Sequence, residues 1–288
     1  MRSLPFKIPK IENSSLYLQV DDEAYFYDQL HQHPELQLTW IVKGEGTLIY
    51  GDYLGQFKAG DIYLFGSNMP HVFRSSSVYY QPGSSGVLSR TIFFRPEFIK
   101  DGALVFPELE SLTDFLQQSD RGLKISSTTS EVITDWFQEV FQSTSIARLG
   151  KFFGLLNQLM DTHYEWLSFQ PQKSINESQG RRLDDVFQFT LDHYQKPIRL
   201  DEVADIVHMN KAAFCRYFKQ HTRKTYLNFL NEIRMQKAVE LLRNSELSIA
   251  QVAYEVGFNN LSNFNRTYKL LRAKTPMQER MSFRVELQ

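Results

Sequence analysis

The stretch GFNNLSNFNRTYK, residues 257–269, sets Ser262, Asn265, Arg266 and Lys269 along one side at helical spacing. Phe264, Tyr268 and, just beyond, Leu271 form the opposite, apolar side. The wet side holds amides, a hydroxyl and two cations, and no acid. Such groups match the base edges of a DNA major groove, and nothing among them repels phosphate. A second cluster lies near the other end of the chain. His31, His33 and Glu35 stand close together in HQHPELQL, and His71 follows later. Imidazole and carboxylate are donors to metals and to polar ligands, and residues two apart on a strand share a face. Gln37 and Thr39 would continue that face.

The first stretch belongs to a repeat. Leu200, Val203, Ala204 and Val207 recur as Ile249, Val252, Ala253 and Val256; RYFK at 216–219 recurs as RTYK at 266–269; Lys224-Thr225 recurs as Lys274-Thr275. Each copy reads as a short helix, a tight turn and a second helix. The turns are His208-Met209-Asn210 and Gly257-Phe258-Asn259, with Asn210 and Asn259 expected as N-caps and Gly257 supplying a positive φ. In the first copy the wet side of the second helix carries Lys211, Ala212, Cys215, Arg216 and Lys219, poorer in donors but with two small residues able to touch a thymine methyl. In the second copy the corresponding set is Leu261, Ser262, Asn265, Arg266 and Lys269. A helix over 226–243 would join the copies, so that both second helices could enter successive major grooves about 34 Å apart. A ligand-free αα-hairpin repeat leaves unexplained the arginine that both copies hold at one place on the wet side.

The rest of the chain must position these groups. Residues 1–98 are rich in short β-branched and aromatic runs such as LQLTWIVKG and DIYLFG, punctuated by Gly and Pro, which predicts an all-β sandwich or barrel. Helical period follows, with Val132, Ile133, Trp136, Phe137, Val140 and Phe141, and then Leu149 to Met160, forming a stripe wide enough to include a subunit contact. QPQKSINESQG, 170–180, reads as a linker. Beyond it helices are predicted over 181–194, 200–207, 211–221, 226–243, 248–256 and 260–271, with a short tail. Residues 181–288 hold 18 Lys and Arg against 12 Asp and Glu; residues 1–180 hold 14 against 21. An acidic front and a basic back suit a back half that meets a polyanion. Cys215 is the single cysteine, which excludes an intrachain disulfide and fits a reducing compartment. No run of about 18 apolar residues exists to span a membrane, and the N-terminus lacks the apolar core of a secretory signal. The expected location is cytoplasmic.

LDEVADIVHMNKAAFCRYFK, YLNFLNEIRMQKAVELL and IAQVAYEVGFNNLSNFNRTYKLLRAKTP together resemble the AraC/XylS family of bacterial transcription regulators over residues 181–282. Arg234 and Ala238 match the family's Arg-x-x-x-Ala linking helix. The resemblance implies base-facing roles for Ala212, Cys215, Arg216, Leu261, Ser262, Asn265 and Arg266, and core roles for Phe214, Phe218, Phe264 and Tyr268. The chain departs from the family at Arg223 and Ala273, where glycine is usual after each recognition helix. HQHPELQLTWIVKGEGTLIYG with FKAGDIYLFGSNMPH resembles the cupin-type sensor at the front of such regulators. Because Glu35 follows His33 more closely than in metal-binding cupins, the sequence assigns no metal and no cofactor. It gives His31, His33, Glu35, Trp40 and His71 as ligand-binding candidates.

The expected architecture is multidomain: an N-terminal all-β cupin-like barrel with following helices, then a C-terminal all-α domain with two helix-turn-helix units. The divisions are 1–100 for ligand sensing, 101–169 for a helical, dimerising segment, 170–180 for the linker and 181–288 for DNA binding. The expected function is a non-enzymatic, sequence-specific transcription regulator, in the activating mode commoner among such families, that senses a small polar molecule such as a sugar. Its expected partners are double-stranded DNA, a small-molecule effector, RNA polymerase and a second copy in a homodimer. The rival readings are a metal-dependent cupin enzyme with a helical partner-binding domain and an architectural DNA binder without an effector. No Ser-His-Asp order, phosphate loop or zinc signature supports catalysis.

Overall fold

A computed structural model describes residues 14–128, 130–168 and 177–286. The chain divides into two compact units, 1–176 and 177–288. In the first, β1 (Leu16–Glu23), β2 (Leu36–Lys43), β3 (Gly46–Tyr50), β4 (Tyr53–Phe57), β5 (Ile62–Phe65), β6 (His71–Ser75) and β7 (Val87–Phe94) precede α1 (Pro96–Ala103) and α2 (Glu110–Gln117). Then come β8 (Leu123–Ile125), α3 (Glu131–Gln142), α4 (Ser145–Asp161) and β9 (Glu165–Trp166). The strands form a six-stranded sheet, β1-β7-β2-β5-β8-β9, and a three-stranded sheet, β4-β3-β6, antiparallel throughout.

Alternation along the strands sorts two environments. Leu36, Leu38, Trp40, Ile62, Leu64, Ile92 and Phe94 pack with Ile133, Phe137, Val140, Phe152, Leu155, Leu156 and Leu159 of α3 and α4. Their neighbours in the strands, Ile41, Tyr63 and Phe65, join Phe57 and Phe73 in a second core shared with the small sheet. Most of the apolar stripe of α3 and α4 is therefore spent inside this unit. Val132 and Ile146 remain exposed. The helical segment is not separate from the β part. β8 and β9 return from it to extend the large sheet, because Leu123 and Ile125 complete the buried row beside β5.

The second unit is helical: α5 (Glu177–His193), α6 (Leu200–Ile206), α7 (Lys211–Thr222), α8 (Tyr226–Asn244), α9 (Ile249–Glu255), α10 (Leu261–Arg272) and α11 (Pro276–Glu286). Two expectations change here. Residues 177–180 of the expected linker are the first turn of α5, while 170–176 lie outside the described residues. The expected tail is an eleven-residue helix, because Phe283 completes the core that α8, α9 and α10 build around Ala238, Val252, Phe264 and Tyr268.

Candidate nucleic-acid interface and sensor cavity

α7 and α10 are built alike. Phe214 and Phe218 are fully buried in one, Phe264 and Tyr268 in the other. Burial of each ring is worth roughly 1.5–3 kcal/mol and fixes which side of the helix faces water. Lys211, Ala212, Cys215, Arg216 and Lys219 are exposed on α7; Leu261, Ser262, Asn265, Arg266 and Lys269 are exposed at the same register on α10. Neither helix contains an acid. Arg266 Nη2 donates to Asn263 Oδ1 at 3.0 Å, which restrains the guanidinium along the helix. Lys211 Nζ stands 3.8 Å from Asp201, both well exposed, a weak pair. α8 joins the two helix-turn-helix repeats over 19 residues, roughly 28 Å of helix.

Local chemistry fixes both helix starts. Asn210 Oδ1 accepts from Ala213 N at 2.9 Å, and Asn260 Oδ1 accepts from Asn263 N at 3.0 Å. The second cap is thus Asn260 and not Asn259: a cap must lie three residues before the N–H that it receives, and this turn is one residue longer than the first. At the other ends, Arg223 and Ala273 adopt the left-handed conformation that the family's glycine would occupy. Leu271 also departs from expectation. It is 39 % exposed, because it lies at the end of the helix beyond the core and walls a surface groove with Asn228, Asn231 and Leu270.

The repeats are locked through α8. Arg234 is nearly buried; its Nε donates to Tyr194 O at 2.8 Å and its Nη2 to Lys196 O at 2.9 Å. Its guanidinium also lies 5.4 Å from the centre of the Phe258 ring in the second turn. Gly257, at φ 90°, lets that turn reach the same loop; a Cβ there would stand 2.5 Å from Tyr194 O. Ala238 is fully buried one turn after Arg234.

In the first unit, Gln19, Asp21 and Glu23 of β1, Gln37 and Thr39 of β2, and Ser89 and Thr91 of β7 face a cavity of about 610 Å³. Tyr25, Phe26, Tyr27, Phe73 and Phe93 supply aromatic walls. Polar contacts line it in two chains. Ser89 Oγ donates to Asp21 Oδ2 at 3.0 Å and Gln19 Nε2 to Asp21 Oδ1 at 2.6 Å. Thr39 and Thr91 hydroxyls meet at 3.0 Å, and Gln37 Nε2 donates to Thr39 Oγ1 at 2.8 Å.

The candidates named from the sequence divide here. His31 borders the cavity; His33 and His71 lie behind it, both Nε2 atoms 2.9 Å from Gln37 Oε1. Glu35 does not point inward. It sits in the bend before β2, and its carboxylate lies 3.8 Å from His33 Nδ1 and 4.0 Å from Arg95 Nε. Trp40 faces the opposite side of the sheet, 6.0 Å from Phe137 and 5.6 Å from the Arg90 guanidinium. Pro34 interrupts the strand ahead of Glu35, and Trp40 is out of phase with Gln37 and Thr39. Strand alternation in LQVDDE and VLSRTIFF was the available signal for Gln19, Asp21, Ser89 and Thr91.

Each imidazole is oriented by a backbone carbonyl. Nδ1 of His31 meets Gln29 O at 2.9 Å, that of His33 meets Glu35 O at 3.0 Å, and that of His71 meets Met69 O at 2.7 Å. A carbonyl only accepts, so Nδ1 carries the proton in all three rings. Burial pushes the His31 pKa down to about 3; it also lowers His33, and it lowers His71 further with help from the two neighbouring imidazoles. Burial thus disfavours the charged form of each ring.

The AraC-like ligand binding domain family matches residues 13–142, and a helix-turn-helix domain family matches residues 203–282. The chain is similar to an uncharacterized HTH-type transcriptional regulator, YdeC, of Bacillus subtilis, 34% identical over 85 residues, 30% of this chain and 29% of that one. It is similar to the Msm operon regulatory protein of Streptococcus mutans, 21% identical over 253 residues, 86% of this chain and 84% of that one. It is also similar to the HTH-type transcriptional activator RhaS of an Enterobacter species, 29% identical over 112 residues, 39% of this chain and 40% of that one. The first and third alignments thus span less than half of those relatives.

Proposed function

This chain belongs to the AraC-type transcription regulators, with a ligand-binding domain ahead of a helix-turn-helix domain, and from that premise we propose that it binds specific DNA sites through α7 and α10 under the control of a small polar effector. The observation that carries the reading is the matched pair of exposed, acid-free helix sides, each with an arginine and a lysine at the same register over a buried aromatic pair. Arg216 and Arg266 read guanine edges, Ser262 and Asn265 serve as adaptable donors and acceptors, and Lys211, Lys219 and Lys269 neutralise phosphate. Ala212, Cys215 and Leu261 contribute apolar contact to bases.

The effector occupies the cavity of the first unit. Hydroxyl, amide and carboxylate groups interleaved with aromatic walls suit a polyhydroxylated molecule such as a sugar. Its binding favours one arrangement of the chain over another and so shifts which DNA sites are held. In this reading the protein works in the cytoplasm as a homodimer that touches RNA polymerase and activates transcription. The test is selection of bound sequences from a random DNA pool with the full-length chain, followed by titration of the winning site in competition with bulk DNA. Selection of a consensus containing two half-sites supports the reading. Binding without sequence preference overturns it in favour of an architectural DNA binder.

A further inference from the structure

We propose that the effector carries a protonated amine, held in the sensor cavity by the carboxylates of Asp21 and Glu23. The proposal rests on the reading that this cavity takes a small polar molecule, and it adds the charge of that molecule. Gln19, Asp21 and Glu23 are two residues apart along β1, so one face of the strand turns all three to the cavity. β7 pairs with that strand in register, Ser89 opposite Asp21 and Thr91 opposite Gln19. The groups that donate to the Asp21 carboxylate are the Ser89 hydroxyl at 3.0 Å and the Gln19 amide at 2.6 Å, and both are neutral. They orient the carboxylate without cancelling its charge. Glu23 stands at the exposed end of the same row.

The rest of the lining has the same sign. Asp28 adds a third carboxylate, and among the described residues no Lys or Arg lines the cavity. Asp28 is partly answered, because it holds the Tyr80 hydroxyl and that hydroxyl also feels Arg74, so the case stands on the two acids of β1. The imidazole at the cavity's edge, His31, has its charged form disfavoured by burial. A sugar acid or a phosphate ester would therefore enter against like charge. A neutral polyol would satisfy the amides and hydroxyls but displace water from Asp21 and Glu23 without giving them a counter-charge. An ammonium group brings three N–H donors and charge-assisted bonds to carboxylate. Aromatic faces attract the same cation, and Tyr25, Tyr27, Phe73 and Phe93 line the same space. A polyol that bears an amine, as an amino sugar does, keeps the fit to the hydroxyl and amide groups and meets the charge as well.

The experiment uses the full-length chain with isotope-labelled methyl groups and TEMPO nitroxides that bear an ammonium, a hydroxyl or a carboxylate group, each at the same concentration and at neutral pH. Paramagnetic broadening of the methyl signals of Thr39, Ile41 and Thr91, which line the cavity, reads how much of each probe enters. The ammonium probe is expected to broaden these signals at least about threefold more than the hydroxyl probe, the scale of one solvent-screened ion pair, and the carboxylate probe least. Asp21→Asn keeps the shape of the side chain and removes its charge, so it should cut the ammonium probe's excess by about half or more. The hydroxyl probe should enter that variant as before. Equal broadening by the ammonium and hydroxyl probes, or more by the carboxylate probe, overturns the proposal and leaves the cavity to a neutral or anionic effector. Entry by none of the three overturns both the proposal and the placing of the effector in this cavity. An Asp21→Asn chain that keeps the full excess overturns the role of that carboxylate. The wild-type comparison decides the charge of the effector even where the variant does not fold.

Discussion

Arg223 and Ala273 hold the same left-handed backbone, φ 57° and ψ 4°, at the ends of α7 and α10. Each N–H returns to the carbonyl of a lysine four residues earlier, Lys219 at 2.9 Å and Lys269 at 3.0 Å. Each is followed one residue later by a lysine and then by a threonine that caps the next helix, Thr225 to Asn228 N and Thr275 to Gln278 N, both at 3.2 Å. The cap conformation has thus persisted in both repeats without the glycine that makes it easy. Left-handed backbone costs a residue with a Cβ on the order of 1 kcal/mol. Arg223→Gly and Ala273→Gly should therefore each stabilise the second unit by about 0.5–1 kcal/mol, less than the full cost because glycine also loses more entropy on folding. Chemical denaturation followed by helical circular dichroism reads this directly, and destabilisation by both variants would show that the left-handed caps are not used.

Arg266 is exposed, lies on the side of its helix opposite the buried Phe264 and Tyr268, and has its guanidinium tethered to Asn263. A fork held in place loses less entropy on reaching a guanine than a free one. Arg266→Ala is expected to cost about 1–3 kcal/mol on the selected site and to relax preference at one base pair. Arg266→Lys should recover little, because a point charge cannot reproduce two parallel hydrogen bonds. Equal losses on specific and bulk DNA, measured by anisotropy, would reassign the residue to phosphate.

Lys269 sits three residues further along the same helix, which contains no acid. If it neutralises one phosphate, Lys269→Ala lowers the slope of log K against log salt by about 0.9 while leaving the consensus unchanged. An unchanged slope would remove it from the interface.

Gly257 is where the second helix-turn-helix touches the loop that Arg234 holds. An added Cβ meets the Tyr194 carbonyl at 2.5 Å and the Gln195 carbonyl at 2.9 Å, and φ is 90°. Backbone cannot swing aside as a long side chain can. Gly257→Ala should destabilise the second unit by roughly 2 kcal/mol or more, combining overpacking with an unfavourable φ. A change below about 0.5 kcal/mol would mean that the loop is free to move and that Arg234 does not fix the two repeats together.

How far the sequence speaks depends on how much local pattern each element has. The helix-turn-helix repeat was legible because its apolar residues recur at helical spacing twice, with asparagine and glycine marking the turns. The change of offset from 49 to 50 between the copies shows one extra residue in the second turn, but not which asparagine then caps the helix, and the cap is Asn260 and not Asn259. β8 and β9 were not legible: LKI and EW are too short to show a period, and only tertiary pairing beside β5 makes them strands. The site in the first unit was half legible. Histidines attract notice by type, and Trp40 does so too, although alternation with Gln37 and Thr39 puts it on the helix side of the sheet. The convergence of His71 with His33 at Gln37 joins residues 34 apart in the chain, and no local spacing reports it.

Asp61 gives a final test, of how the returning strand is fastened. Its carboxylate is fully buried at the start of β5, yet every contact is a donor: Lys124 Nζ of β8 at 2.8 Å, Tyr63 OH at 3.1 Å, and the N–H groups of Lys58 and Ser127, each at 3.1 Å. Removing the acid takes the counter-charge from a largely buried ammonium, to which only the Gln56 carbonyl at 3.1 Å remains as acceptor, and leaves three further donors short of a partner; breaking such a buried pair costs about 3–5 kcal/mol. Asp61→Ala should destabilise the first unit by that much; Asp61→Asn, which keeps one acceptor oxygen, should cost about 1–3 kcal/mol. Trp40, Trp136 and Trp166 are the three tryptophans of the chain, and all belong to this unit, so fluorescence-detected urea unfolding isolates its transition. The second unit's helical signal should then melt where it did before. A loss under 1 kcal/mol for Asp61→Ala would mean that water or a rearranged Lys124 already satisfies these donors, and that β8 is held to the sheet by its leucine and isoleucine rather than by the ion pair.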